Sequence, residues 1–164
     1  MEVFISGLIL AENLIYKMRE LLILLLLPLF CLSQKMFVQN SQVHFFSSAP
    51  LEDITAISNK LEGVVDFDTG DFFFRIPINT FIFPSSLMQQ HFNEKYMDSE
   101  TYSVSYFKGN FSEKINISDN QLINISAIGT LNMHGVNQDV VIQTNLMIQD
   151  EQAQFNSVFD VFLK

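Results

Sequence analysis

The chain is poor in the groups that do covalent, redox and electrostatic work. Cys31 is the only cysteine in 164 residues, so neither an internal disulfide nor a set of thiolate metal ligands can form. Tryptophan is absent, and the three histidines, His44, His91 and His134, are far apart and lack metal-ligand spacing. Positive charge is scarce: 9 Lys and Arg stand against 18 Asp and Glu, a formal net charge of -9. That balance argues against a nucleic-acid surface and against an electrostatic grip on anionic lipid headgroups. There is no Gly-rich phosphate loop, no Gly-x-Ser-x-Gly and no nucleophile–base pair. The expectation is a protein that is not an enzyme, with no catalytic residue, no metal and no cofactor.

What is abundant is apolar. Hydrophobic residues make up 48% of the chain, and 17 residues are Phe. The length favours one domain. Residues 21–32 form an apolar run broken only by Pro28. It is too short for the roughly 20 residues of a membrane span, but suits the apolar part of a secretory signal. Lys17 and Arg19 supply the basic flank, Met18 is the natural start, and cleavage is expected after Ser33. The reading divides the chain into an N-terminal extension and signal over 1–33, with 1–17 lying upstream of the natural start, and one domain over 34–164. The mature protein is then periplasmic or secreted and has no thiol.

From Val43 onward the dominant pattern is alternation with period two, the mark of half-buried strands. Phe72, Phe74, Ile76 and Ile78 share one face, and Arg75, Pro77 and Asn79 the other. Ile123, Ile125, Ala127, Leu131 and Met133 alternate with Asn124, Ser126, Thr130 and Asn132. Val140, Ile142, Leu146 and Ile148 alternate with Gln143 and Asn145. Phe155, Phe159, Val161 and Leu163 form a last dry face. Pro77 cannot donate to a ladder and belongs at an edge or bulge. Turn chemistry separates the strands at Asp68-Thr69-Gly70, Asp119-Asn120, His134 to Asn137 and Gln149 to Gln152.

Two segments switch to helical spacing. In the first, Pro50 precedes Leu51, Ile54 and Ile57 at i, i+3 and i+6. The second runs over 85–96, with Ser86 and Gln89 at capping-box spacing and Met88 with Phe92 as an i, i+4 pair. Two short helices cannot cover one apolar face of about seven strands. The remaining solutions are a sandwich or a sheet curled on itself as a barrel.

Four motifs then carry a family resemblance, in order along the chain. Ser41-Gln42-Val43-His44-Phe45 resembles the first-strand pattern Ser-x-Val-x-Phe of YceI-like proteins. Gln90-His91-Phe92 resembles the family's His-Leu helix, with Phe92 in place of Leu. Tyr102 through Lys108 resembles its Tyr-Pro-x-x-x-Phe-Lys strand, with Ser103 in place of Pro. Gly129-Thr130-Leu131-Asn132-Met133-His134-Gly135-Val136 resembles the Gly-x-Leu-x-x-His-Gly-Val hairpin, the most specific of the four. The stretch from Ser47 to Asp53 is similar to Bacteroidetes-like members.

The resemblance implies an all-β, lipocalin-like antiparallel β-barrel of about eight strands with two short helices. Its interior would hold a long apolar isoprenoid lipid, of polyprenyl phosphate or quinone type, in a carrier or store. Parity places Phe72, Phe74, Ile76 and Ile78 along the bore, with Phe45 and Phe67 nearby. Phe81, Phe83, Met88 and Phe92 sit at the mouth, and His91 could approach a headgroup. Lys164 falls at the end of a strand pattern where family members continue, so the barrel is expected to be incomplete and to self-associate, as a dimer or larger, through an unpaired edge. Transient membrane contact is expected of a carrier. The alternative is an interaction module with a solid barrel serving a membrane-protein partner, which exposed Phe46 and Phe73 would favour.

Overall fold

The computed structural model describes residues 16–19, 35–48 and 53–161. The chain divides into two compact units, Met1–Leu32 and Ser33–Lys164. Of the first, one helical turn over 16–19 is described, with the Arg19 guanidinium 4.9 Å from the centroid of the Tyr16 ring. The apolar run of 21–32 and the expected cleavage point lie outside the described residues. Among those described, no helix is long and apolar enough to cross a membrane.

The second unit is built from strands β1 (Lys35–Phe37), β2 (Val43–Ser47), β3 (Ile54–Ser58), β4 (Glu62–Asp66), β5 (Asp71–Pro77), β6 (Val104–Phe111), β7 (Gln121–Met133), β8 (Val136–Gln149) and β9 (Gln152–Ser157). A 3-10 turn (Ile78–Thr80) follows β5, and α1 (Ser86–His91) continues into a π-helical turn (Phe92–Tyr96). Seven strands form one antiparallel sheet in the order β1-β4-β5-β6-β7-β8-β9, and β2 and β3 pair as a separate hairpin. This is the expected all-β class, a sheet curled as a half-barrel, with two strands set aside from it.

Parity explains which face is dry. Along β5, Phe72 and Ile76 are buried and Phe74 half-buried, while Phe73 and Arg75 are exposed. Arg75 reaches across its register partner, its Nη2 2.7 Å from Glu62 Oε2; such an exposed pair is worth about 0–1 kcal/mol. β7 and β8 pair without interruption from Gln121↔Ile148 to Met133↔Val136. Their inner faces bury Ile125, Ala127 and Leu131 against Ile142, Leu146 and Ile148. Their outer faces carry polar rungs: Gln143 Nε2 donates to Ser126 Oγ at 3.1 Å, Thr130 Oγ1 to Asp139 Oδ1 at 3.0 Å, and Asn132 Nδ2 to Asn137 Oδ1 at 2.7 Å. Such cross-strand pairs define register as well as stabilising it. Pro77 closes β5 beyond the last pairing with β4, at Glu62↔Arg75, and faces only Val104 of β6. Its missing N–H therefore breaks no ladder.

The turns are tighter than the sequence reading placed them. Val136 and Asn137 belong to β8, and only His134 and Gly135 form the loop, at φ 52° and 74°. Likewise Gln149 and Gln152 are paired, leaving Asp150 and Glu151 at φ 50° and 58°. Two successive left-handed residues match the right-handed twist of the flanking strands. The Tyr102 and His134 rings stand nearly perpendicular, centroids 4.8 Å apart, and the Tyr102 ring lies against Gly135 where a Cβ would stand. Two of the resemblance-bearing motifs are thus one packing unit.

Three local expectations are corrected. Ile54–Ser58 is a strand, not a helix: it pairs with β2 over five positions from Val43↔Ser58 to Ser47↔Ile54. Its β-branched Ile54, Thr55 and Ile57 suit a pleated surface; Ala56 and Ser58 face inward with Ile54 half-buried on the same row, while Ile57 is exposed. Pro50 and Leu51 lie outside the described residues. Second, α1 is capped by Ser85, whose Oγ accepts from Met88 N at 3.5 Å, one residue before the expected cap at Ser86. Third, β9 ends at Ser157, so Phe159 is not on an inner face but exposed; Leu163 is outside the described residues.

Two glycines face each other in the middle of the sheet. Gly109 of β6 and Gly129 of β7 are register partners. A Cβ built on Gly129 would collide with the Lys108 carbonyl and sit 2.8 Å from Gly109 Cα. With both side chains missing, the two backbones approach closely. Across the concavity Phe155 of β9 meets Phe67, Phe74 and Phe111, at centroid distances of 6.4, 6.3 and 5.6 Å.

Gly129→Ala should therefore lower stability by about 1–3 kcal/mol through overpacking, read as a lower urea midpoint with an unchanged slope. Glu151→Gly should raise stability by about 1 kcal/mol, because glycine adopts the left-handed region without the Cβ penalty; thermal melting of the two proteins side by side checks it.

Candidate functional site

The concave face is lined by two apolar clusters. The first holds Val65, Phe67, Phe72, Phe111, Ile115, Ile117, Ile125, Ala127, Ile142, Leu146 and Ile148, with Met36, Phe74, Phe107, Ile123, Val140, Ala153 and Phe155 packed against it, only partly buried. The second holds Ala56, Ile76, Ile78, Phe81, Phe83, Phe92 and Met97, with Val43, Phe45, Ile54, Leu61, Met88 and Met133 around it. Aromatic rings join within each cluster. Phe72 lies 4.8 Å from Phe107 and 4.9 Å from Phe111; Phe92 lies 4.8 Å from Phe83, 5.4 Å from Phe45 and 5.9 Å from Phe81. Offset and tilted pairs of this kind add to the area they bury.

The expected site residues divide between the clusters. Phe67, Phe72 and Phe74 belong with the first; Ile76, Ile78, Phe81, Phe83 and Phe92 are buried in the second, with Phe45 and Met88 at its margin. The even-numbered row of β5 thus runs from one cluster into the other. His91 ends α1, half-buried, outside both. The sequence reading did not include Phe107, Phe111 and Phe155. The parity signal was present for β6, where Ser105, Phe107, Gly109 and Phe111 alternate with Tyr106, Lys108 and Asn110.

The concave face is electrically quiet. Among the described residues the only buried polar side chains are Ser58, Ser105 and Thr144. The carboxyls held below their ordinary range lie at exposed turns. Asp71 is lowered by hydrogen bonds from Asn110 Nδ2 at 3.0 Å and Thr69 Oγ1 at 2.9 Å. Glu113 is lowered by the Ser112 side chain and by the Ser126 N–H, which donates to its Oε2 at 2.9 Å. Such an arrangement can shield an apolar chain from water.

The outer face differs. Phe37, Val64 and Phe73 follow one another across β1, β4 and β5 by register, and the Phe73 ring stacks at 6.1 Å on Tyr106. Phe37 is 67% and Phe73 39% exposed. A shallow groove runs beside them, bordered by Glu62 and Arg75.

Comparison with known proteins agrees with this architecture. The model of the YceI-like domain matches residues 36–162. Among solved structures, the chain is similar to a polyisoprenoid binding domain from Saccharophagus degradans implicated in plant cell wall breakdown, at 17% identity and a TM-score of 0.50, covering 73% of this chain and 66% of that one. The chain thus spans just under two thirds of that domain's length. No curated protein sequence matches it. With the curled antiparallel sheet, the His134-Gly135 hairpin and a family match over most of its length, the chain belongs to the YceI-like family.

Proposed function

We propose that the protein binds a long apolar isoprenoid chain against its concave face and carries or stores it without chemical change. The observation that carries this reading is the composition of that face: aromatic and aliphatic, with Phe74, Phe107 and Phe155 only partly covered by protein. The solved polyisoprenoid binding domain that shares this fold supports it. The physics is consistent. Keeping each methylene from water is worth about 0.8 kcal/mol, so such a chain needs a dry path. Its source is a bilayer, where it is already dry, so transfer to protein is close to neutral and loading is reversible. Phe offers apolar area without a buried donor to satisfy, and Met88 beside Phe83 and Phe92 gives an adaptable margin.

A second reading, an interaction module with a solid barrel, is favoured by the exposed rings of Phe37, Phe46 and Phe73. Mass spectrometry of an organic extract of the purified native protein separates the two. Stoichiometric isoprenoid is expected, and a lipid-free extract would leave the interaction module standing.

Substitution gives a finer test. Phe92→Ala removes a fully packed ring and should cost about 3–5 kcal/mol of stability. Phe74→Ala and Met88→Asp change partly covered positions; they should cost less stability and reduce bound lipid per folded molecule several-fold. If lipid per folded molecule stays constant in all three variants, the chain does not bind where we place it.

The same role calls for contact with membranes, and we place the protein in the periplasm or outside the cell. The basic flank of Lys17 and Arg19 before the apolar run of 21–32 supports that placement. Fractionation should recover a form cleaved after Ser33 outside the cytoplasm; an unprocessed cytoplasmic chain would contradict it.

A further inference from the structure

The three buried hydroxyls of the described residues are not equivalent. Thr80 Oγ1 donates to the Pro77 carbonyl at 2.6 Å, so in the 2.7 Å contact between Thr80 and Ser58 the Ser58 hydroxyl is the donor. Ser58 Oγ also accepts from Lys60 N at 3.3 Å. Thr144 Oγ1 pairs with Ser157 Oγ at 2.8 Å. Ser105 is equally buried, 3% exposed, yet its Oγ has no protein partner. An unpaired buried hydroxyl is costly, and such groups are uncommon unless they meet something other than protein.

Its position indicates what that partner is. Ser105 lies on the inner row of β6, directly opposite Ile76. Ile76 belongs to the second apolar cluster, and Phe107, two residues along the same row, packs on the first. The hydroxyl therefore stands at the seam of the concave face. The other buried unpaired oxygen, Asn93 Oδ1, follows Phe92 of the second cluster in sequence. Every described Lys and Arg side chain is exposed, so among the described residues no cation points inward to neutralise an anion, and burying an unpaired phosphate there would be strongly unfavourable.

We infer that Ser105 anchors the end group of the bound chain by a hydrogen bond, and that this end group is neutral and oxygen-bearing, a hydroxyl or carbonyl and not a phosphate. The inference rests on the reading that the concave face takes an apolar chain, and it adds the class of ligand and the residue that selects it.

The test uses the full mature protein, neutral phosphatidylcholine vesicles and three probes: a long-chain prenol, its monophosphate, and squalene, which has no oxygen. The wild type should take up the prenol in preference to the other two. Ser105→Ala should reduce prenol uptake about fivefold, the size of one lost neutral hydrogen bond, and leave squalene uptake unchanged. Ser105→Thr, which keeps the hydroxyl, should retain the preference. The melting temperature of lipid-free Ser105→Ala should not fall, because the hydroxyl it removes has no protein partner; a fall would overturn the inference. An unchanged prenol-to-squalene ratio in Ser105→Ala would assign the hydroxyl to an enclosed water and overturn the inference, leaving the lipid-binding reading intact. Preferential uptake of the monophosphate would do the same. Failure of the wild type to take up any probe would overturn both.

Discussion

The architecture depends on a close approach of two backbones. At Gly109 and Gly129 there is no room for a Cβ on either strand, so the two backbones approach closely in the middle of the sheet. A flat sheet with this alternation would leave the inner faces of β7 and β8 facing water. Bending turns them toward the opposite end of the sheet, so that Phe155 on β9 meets Phe67, beside the β4–β5 turn, and Phe74 on β5. These strands are separated by β6, β7 and β8 in the sheet order. The core is therefore made by contacts across the concavity, in addition to those between hydrogen-bonded neighbours.

From that bend follows a division of labour between the faces. The convex side of β7 and β8 carries polar rungs from Ser126 to Asn132 that pin register. The concave side carries rings and branched aliphatics, so a one-residue slip would exchange the two and is strongly disfavoured. Phe suits this interior because dense packing of rings needs no hydrogen-bond partner. The hydroxyls at Ser58 and Thr144 are tolerated because each has a neighbour to bond.

The second cluster is assembled differently. β5 ends at Pro77, the chain makes a 3-10 turn, and the Phe81-to-Phe83 segment hydrogen-bonds to β3 through Ile57 and Ile82, at 2.9 and 3.1 Å. That pairing sets Phe81 and Phe83 inward against Phe92 and turns Ile82 outward. The β2–β3 hairpin, although outside the main sheet, is thereby tied to the segment leading into α1. Phe45 and Ala56, register partners in that hairpin, both face this cluster. The partly covered Met88 and Phe45 at its margin are where local opening would cost least.

Much of this was legible from residue order alone. The inward sets of β5, β7 and β8 follow from period-two alternation, because a strand must present successive side chains to opposite faces. The left-handed turn at His134-Gly135 was placed to within two residues by its composition. The reading failed where sequence signals conflict or are weak. Leu51, Ile54 and Ile57 mimic helical spacing, while small Ala56 and Ser58 hide the inward face of β3; only its pairing with β2 decides between the two periods. The candidate site was half legible. Parity on β5 gave Phe72, Phe74 and Ile76, but Phe155 enters the same site from a strand far off in the sheet order, and nothing in local sequence reports a contact across a curl. The chain by itself determined which side chains of β5, β7 and β8 are dry, since that depends on local alternation. Which dry side chains meet, and which buried hydroxyl is left without a partner, was decided by tertiary structure, because both depend on contacts between strands far apart in the sheet order.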